Sequence, residues 1–189
     1  MKEMNTLSFT DDAAMRVDWA AWLDEYGPQF LLYARQQCRN ESDAEDVMQE
    51  AQVQLVRAVT SGSFTGTQDQ WRAYVFKAVR HKAIDIARSK KVRDVYAASL
   101  QALMDEVVVE ETPWLSCSED NEYLRVRIES VLRKLSPEKS EVVVLHIWGE
   151  LTFQEIAYVS GKNLSTITSR YRYALDDLRK ELAVNPIEY

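Results

Sequence analysis

Between residues 44 and 58 the apolar side chains Ala44, Val47, Met48, Ala51, Leu55 and Ala58 recur at three- and four-residue steps. That spacing gathers them on one stripe of an α-helix and on neither face of a strand. The same period returns from Trp71 to Arg88, where Tyr74, Val75, Ala78, Val79, Ile84 and Ile86 are available for burial, and again beyond residue 123. Only 5 Gly and 4 Pro among 189 residues argue against a loop-rich β protein, and 46% hydrophobic residues allow one larger or two small cores. The fold class expected is all-α.

Punctuation along the chain divides it. Gly27–Pro28 predicts a break between helices over 11–26 and 28–38. Ser42-x-x-Glu45 reads as a capping box for the next helix, and residues 61–70 (SGSFTGTQDQ) as the polar loop that ends it. The long helix from about Trp71 to Arg88 follows. From Asp94 to Glu122 the period fades, with one helical turn expected around Leu100–Met104. Tyr123–Leu135 is expected to be helical, and Ser136-Pro137-Glu138 opens a helix running to about Trp148. Thr152-x-x-Glu155 caps a short helix that stops near Ser160-Gly161, and Asn163 caps the last helix, through Arg170, Arg172 and Leu178 toward Leu182. Two helical domains, 11–93 and 123–184, joined by an acidic linker over 94–122, are expected.

The formal net charge of −7 conceals strong segregation. Residues 41–50 hold five acids and no base, residues 71–93 hold eight Lys or Arg against Asp85 alone, and residues 94–122 hold eight acids and no base. Exposed charges are screened beyond about 10 Å, so each block acts on its own partner and the sum decides little.

Residues 153–175, FQEIAYVSGKNLSTITSRYRYAL, have the outline of a helix-turn-helix. Ala157 is small where two helices must cross, Gly161 suits a left-handed turn position, and Leu164 and Ile167 are expected to face inward. Ser165, Thr166, Thr168, Ser169, Arg170, Arg172 and Tyr173 are then left to face outward, where hydroxyls and guanidinium groups bond base edges or phosphates. The competing reading is a plain helical hairpin whose arginines are solvated or paired with Asp176 and Asp177.

In the first half, Asp46, Gln49, Glu50 and Val53 share the face opposite the buried stripe, an acidic surface with an apolar rim. By charge alone a solvated helix face, with acids near the favourable N-terminus, explains it better. Residues 71–93 interleave rings with bases. Lys77, Arg80, Lys82, Arg88, Lys90, Lys91 and Arg93 could line a phosphate track, and Phe64, Trp71, Tyr74 or His81 could stack on unpaired bases. The competing reading puts Tyr74 and Phe76 in the core and leaves the basic tail to solvent, and some of these rings are expected to be core.

The order of DAEDVMQE, then AYVFKAVRHKAIDIAR, an acidic linker, and LSPEKSEVVVLHIWGELTFQEIAYVSGKNLSTITSRYRYALDDLRKEL resembles the extracytoplasmic-function (ECF) type of bacterial sigma-70 family factors over residues 20–93 and 123–183. The resemblance implies a non-enzymatic, cytoplasmic initiation factor that binds core RNA polymerase and promoter DNA, with an anti-sigma factor as a further partner. It places Asp43, Glu45, Asp46, Gln49 and Glu50 on the polymerase clamp. It sets the loop with Phe64 and the helix from Trp71 to Arg93 at the −10 element, and the last helix at the −35 duplex. Gln52, Val56, His81, Lys162 and Thr168 depart from the family pattern, so no promoter sequence is implied. Two alternatives stay open: a sigma-like DNA-binding regulator that does not recruit polymerase, and a metal-dependent hydrolase using Glu41, Asp43, Glu45, Asp46 and Glu50. No histidine accompanies those acids, and Cys38 and Cys117 lack ligand spacing, so no metal or cofactor is expected. No stretch approaches the roughly 18 apolar residues of a membrane span.

Overall fold

The computed structural model describes residues 17–98, 113–115 and 122–184. The described residues are helical throughout apart from short connections. The first half comprises α1 (Trp19–Gln37), α2 (Glu41–Thr60), a 3₁₀ turn (Gln68–Gln70) and α3 (Trp71–Ala98). The second comprises α4 (Glu122–Lys134), α5 (Pro137–Ile147), α6 (Phe153–Ser160) and α7 (Leu164–Val184).

The break expected at Gly27–Pro28 does not occur: α1 runs through Pro28 as one helix. Proline removes one backbone donor and costs about 3 kcal/mol inside a helix. Burial on both sides of it outweighs that cost. Trp22 and Phe30 pack ring to ring at 5.6 Å, and Tyr33 lies one turn further along, fully buried. No atom lies within 4 Å of a Cβ built on Gly27, so the interruption faces open space.

Helix α2 also starts differently from the expected Ser42 capping box. Asn40 is the cap, its Oδ1 accepting from the Asp43 N–H at 2.8 Å, and Ser42 lies exposed in the first turn. The predicted stripe is in place: Ala44, Val47, Ala51 and Leu55 are buried, with Met48 and Ala58 half-buried at its edges. It packs on α1 and α3, where Phe76 meets the edges of Phe30 (5.0 Å) and Tyr33 (5.4 Å).

Helix α3 continues ten residues past its expected end at Arg88, so the first positions assigned to the linker are helical. Residues 89–98 (SKKVRDVYAA) contain neither Gly nor Pro, and nothing in them stops a helix. The turn expected around Leu100–Met104 lies outside the described residues. Within the linker, Trp114 and Leu115 are half-buried. The Arg133 guanidinium sits 4.3 Å over the Trp114 ring, and the Leu115 N–H donates to buried Glu129 at 2.8 Å.

In the second half, Thr152 and Glu155 form the predicted capping box of α6. Gly161 closes that helix at φ 65°, ψ 31°, a left-handed position that suits a residue without a Cβ. Asn163 Oδ1 then accepts from the Thr166 N–H at 2.8 Å to start α7. Ile167 is fully buried, as expected, but Leu164 is 44% exposed. It stands at the first position of α7, ahead of the contacts that Ile167 and Ala174 make with the core.

Candidate nucleic-acid and polymerase interfaces

The acidic face of α2 is open to solvent. Glu45, Asp46, Gln49, Glu50 and Val53 are all exposed, because the opposite stripe carries the burial. Asp43 differs from the rest of its predicted group: it is half-buried, and Asn40 Nδ2 donates to its carboxylate at 3.1 Å. Glu50 forms an ion pair with Lys82 of α3, so part of this surface is neutralised from within. Glu41 is held by Arg35 at 2.9 Å. Among the described residues no group of three or more His, Cys, Asp or Glu is placed to hold a metal ion.

The residues predicted to grip a single strand have different surroundings. Trp71 is buried at 5% exposure and stacks on Trp19 at 4.8 Å, so its ring faces are taken up by the core and it is not available to stack on a base. Phe64 and Tyr74 meet edge to face at 5.4 Å beside a cleft of about 580 Å³, and a Cβ on Gly66 would press the Phe64 ring at 2.8 Å. His81 and Arg88 are exposed, Arg88 lying 3.7 Å from Asp85. Lys90, Lys91 and Arg93 fall on α3, but their side chains lie outside the described residues.

Lys77 and Arg80 point instead at the second half. The Lys77 ammonium sits 3.8 Å over the ring of Tyr158 on α6. Arg80 Nε donates to Glu141 of α5 at 2.9 Å, and the Tyr33 hydroxyl donates to the same carboxylate oxygen at 2.7 Å. Glu141 is buried, and its two donors satisfy a charge that would otherwise be costly there. Burial, and then the Glu141 charge, push the Tyr33 phenol well above its ordinary pKa. Nearby, Gln36 Nε2 donates to Ser140 Oγ at 3.0 Å, and Arg72 reaches the Gly149 carbonyl and, at 3.4 Å, Glu150. None of Tyr33, Glu141 or Tyr158 stood out in the sequence, since a tyrosine or glutamate in a helical period carries no mark of what will cover it.

On α7, Ser165, Thr168, Arg172 and Tyr173 are exposed, while Thr166, Ser169 and Arg170 are half-buried. The arginines are not neutralised by the acids that follow: Asp177 pairs with Lys139 of α5 at 2.6 Å and Asp176 with Arg179 at 3.3 Å. The lysine holds the Asp177 carboxyl below its usual pKa. The Arg172 guanidinium lies 5.0 Å over Tyr173, which extends both side chains along the exposed face.

Two helical units, one with an acidic face beside a basic helix and one a helix-turn-helix, define a class of DNA-directed binding protein. Residues 22–93 match the family described as Sigma-70 region 2 and residues 131–180 that described as Sigma-70, region 4. The chain belongs to the sigma-70 family, among its ECF-type members. It is a polymerase-binding factor that confers promoter specificity. Curated relatives include RNA polymerase sigma factor SigV of Bacillus subtilis, 24% identical over 85% of this chain and 88% of that one. Another is the RNA polymerase sigma-E factor of Streptomyces avermitilis, 29% identical over 80% and 78%. Among solved structures, CnrH in complex with the cytosolic domain of CnrY aligns at a TM-score of 0.58, with 21% identity over 92% of this chain and 94% of that one. The sigma factor RpoE in complex with the anti-sigma factor NepR from Bartonella quintana aligns at 0.61, with 21% identity over 89% and 98%.

Proposed function

We propose that the chain grips a promoter at two points, with the α2 face on the polymerase, the Phe64 loop and α3 on the unpaired −10 strand, and α7 in the major groove of the −35 element. The observation that carries this reading is the coincidence of the two matched regions with two different surface chemistries, acidic on α2 and hydroxyl- and arginine-bearing on α7. In this reading 11–93 is the docking and melting unit, 94–122 the linker and 123–184 the duplex-reading unit. Strand separation is driven by binding energy to exposed bases, with no bond made or broken, and the protein works in the cytoplasm. No helix among the described residues is long and apolar enough to cross a membrane. An anti-sigma factor is a fitting further partner, as the RpoE–NepR structure illustrates for its own chain.

Exposed Asp46 tests the docking surface, because it has no described partner to disturb. Asp46→Lys is expected to weaken co-purification with core polymerase and to flatten its loss with salt, leaving folding stability within about 0.5 kcal/mol of the parent. Retained binding at matched salt rules the α2 face out. On α7, Arg170→Ala is expected to weaken binding of a −35 duplex by about 1–3 kcal/mol if the guanidinium meets a base edge. A fluorescence titration at fixed salt that shows no change assigns Arg170 to packing alone.

A further inference from the structure

We propose that Leu164 and Thr168, at the start of α7, read thymine C5-methyl groups in the major groove, so that this helix selects its duplex in part by apolar contact. The inference deepens the α7 reading given above and rests on it. The first residues of a recognition helix are the ones that reach base edges. Leu164 is the first residue of α7 and is 44% exposed. A lone exposed leucine is ordinary on a protein surface, and what sets this one apart is its place. Thr168 stands one turn further on and is also exposed, so the two are neighbours on one side of the helix.

The hydroxyl protons of this first turn are already committed. Thr168 Oγ1 donates back to its own helix, 3.2 Å from the Leu164 carbonyl oxygen and 3.1 Å from that of Ser165. Ser165 Oγ donates to Asn163 Oδ1 at 3.0 Å, the same oxygen that caps α7 by accepting from the Thr166 N–H. A hydroxyl has a single proton to give. While these bonds hold, neither Ser165 nor Thr168 can donate to guanine O6 or N7, adenine N7 or thymine O4. What Thr168 has left for a base edge is its γ-methyl, one turn from the Leu164 side chain. Thymine is the base that carries a methyl into the major groove, and apolar side chains are what recognise it there. Exposed Arg172, further along α7, stays available for phosphate or guanine.

The test uses the full chain bound to core polymerase, which selects duplexes from a random pool, the enriched upstream block being the −35 element. In the selected duplex each −35 thymine is replaced in turn by deoxyuridine, which pairs in the same way and lacks only the methyl. Affinities are compared by competition at fixed salt. Replacement of at least one thymine is expected to weaken binding about fourfold, the scale of one methyl group leaving an apolar contact. Leu164→Ala trims a side chain that lies outside the core, and is expected to bind the thymine and deoxyuridine duplexes alike. Thr168→Ser keeps the hydroxyl and drops the methyl, and is expected to shrink the same difference. A selected element without thymine, or equal binding of both duplexes by the parent, overturns methyl reading and leaves duplex reading intact. A difference that persists undiminished in one variant removes that residue from the assignment, and in both variants overturns it. A pool in which no upstream block is enriched overturns the duplex reading and the methyl reading together.

Discussion

Phe76→Ala is expected to destabilise the first half by about 3–5 kcal/mol, the range for emptying a large buried site. Phe76 is fully buried at the centre of an aromatic cluster and meets Phe30 at 70° and Tyr33 at 79°, both edge to face. Each such pair adds roughly 0.5–1.5 kcal/mol beyond the area it buries. Neighbours cannot close the void easily, because Tyr33 is tied through its hydroxyl to Glu141 and Phe30 is wedged between Trp22 and Phe76. Against a typical total of about 5–15 kcal/mol, the loss is large enough to lower a urea midpoint steeply. Phe76→Leu, which keeps much of the volume, should recover most of it. A midpoint for Phe76→Ala equal to that of Phe76→Leu would show that the core refills and that the cluster contributes little.

Ile167→Asp is expected to dismantle the helix-turn-helix while leaving the first half folded. Ile167 has no exposure, and a carboxylate there has no donor in reach of the apolar core formed with Val159, Ile156 and Ala174. An unpaired buried charge costs several kcal/mol, more than the α6–α7 turn can supply. Hydrogen exchange should show protection lost across 153–175 and kept across 19–60. The pH dependence has a definite sign. Burial raises the folded pKa of the new carboxyl above its unfolded value, so the penalty is full above the folded pKa and lifts as pH falls through it. Ile167→Val, costing about 0.5–1.5 kcal/mol, serves as the control that keeps the fold. Uniform loss of protection over both halves would mean that they unfold as one unit.

Several elements are legible from a local rule alone. The three- and four-residue stripe on α2, the Thr152–Glu155 box and the left-handed Gly161 all stand as their residues predict. Two of the misreadings share a cause, which is that a distant contact overrode a local signal. Pro28 was overruled by the rings on either side of it, and Trp71 was drawn into the core by Trp19. Leu164 is the converse, an apolar residue at an inward-looking position that the core does not reach. The outward residues of α7 and the acidic face of α2 were readable because both are defined by what a helix leaves outside. The seam between the halves was not, since it pairs Tyr33 with Glu141 across 108 residues and no periodicity spans that distance.

Trp114 gives that seam one further property. With its ring beneath Arg133 and its neighbour Leu115 bonded to Glu129, the linker is fastened to the second half well before Glu122. Only 16 residue steps then separate the fastened tryptophan from Ala98, a chain that spans at most roughly 55 Å however it is arranged. Confinement within that radius corresponds to an effective concentration of about a millimolar or more for one half in the presence of the other. A contact that would be negligible between separate molecules is therefore sustained within one, and dilution does nothing to release it. Only a ligand that takes the same surfaces can.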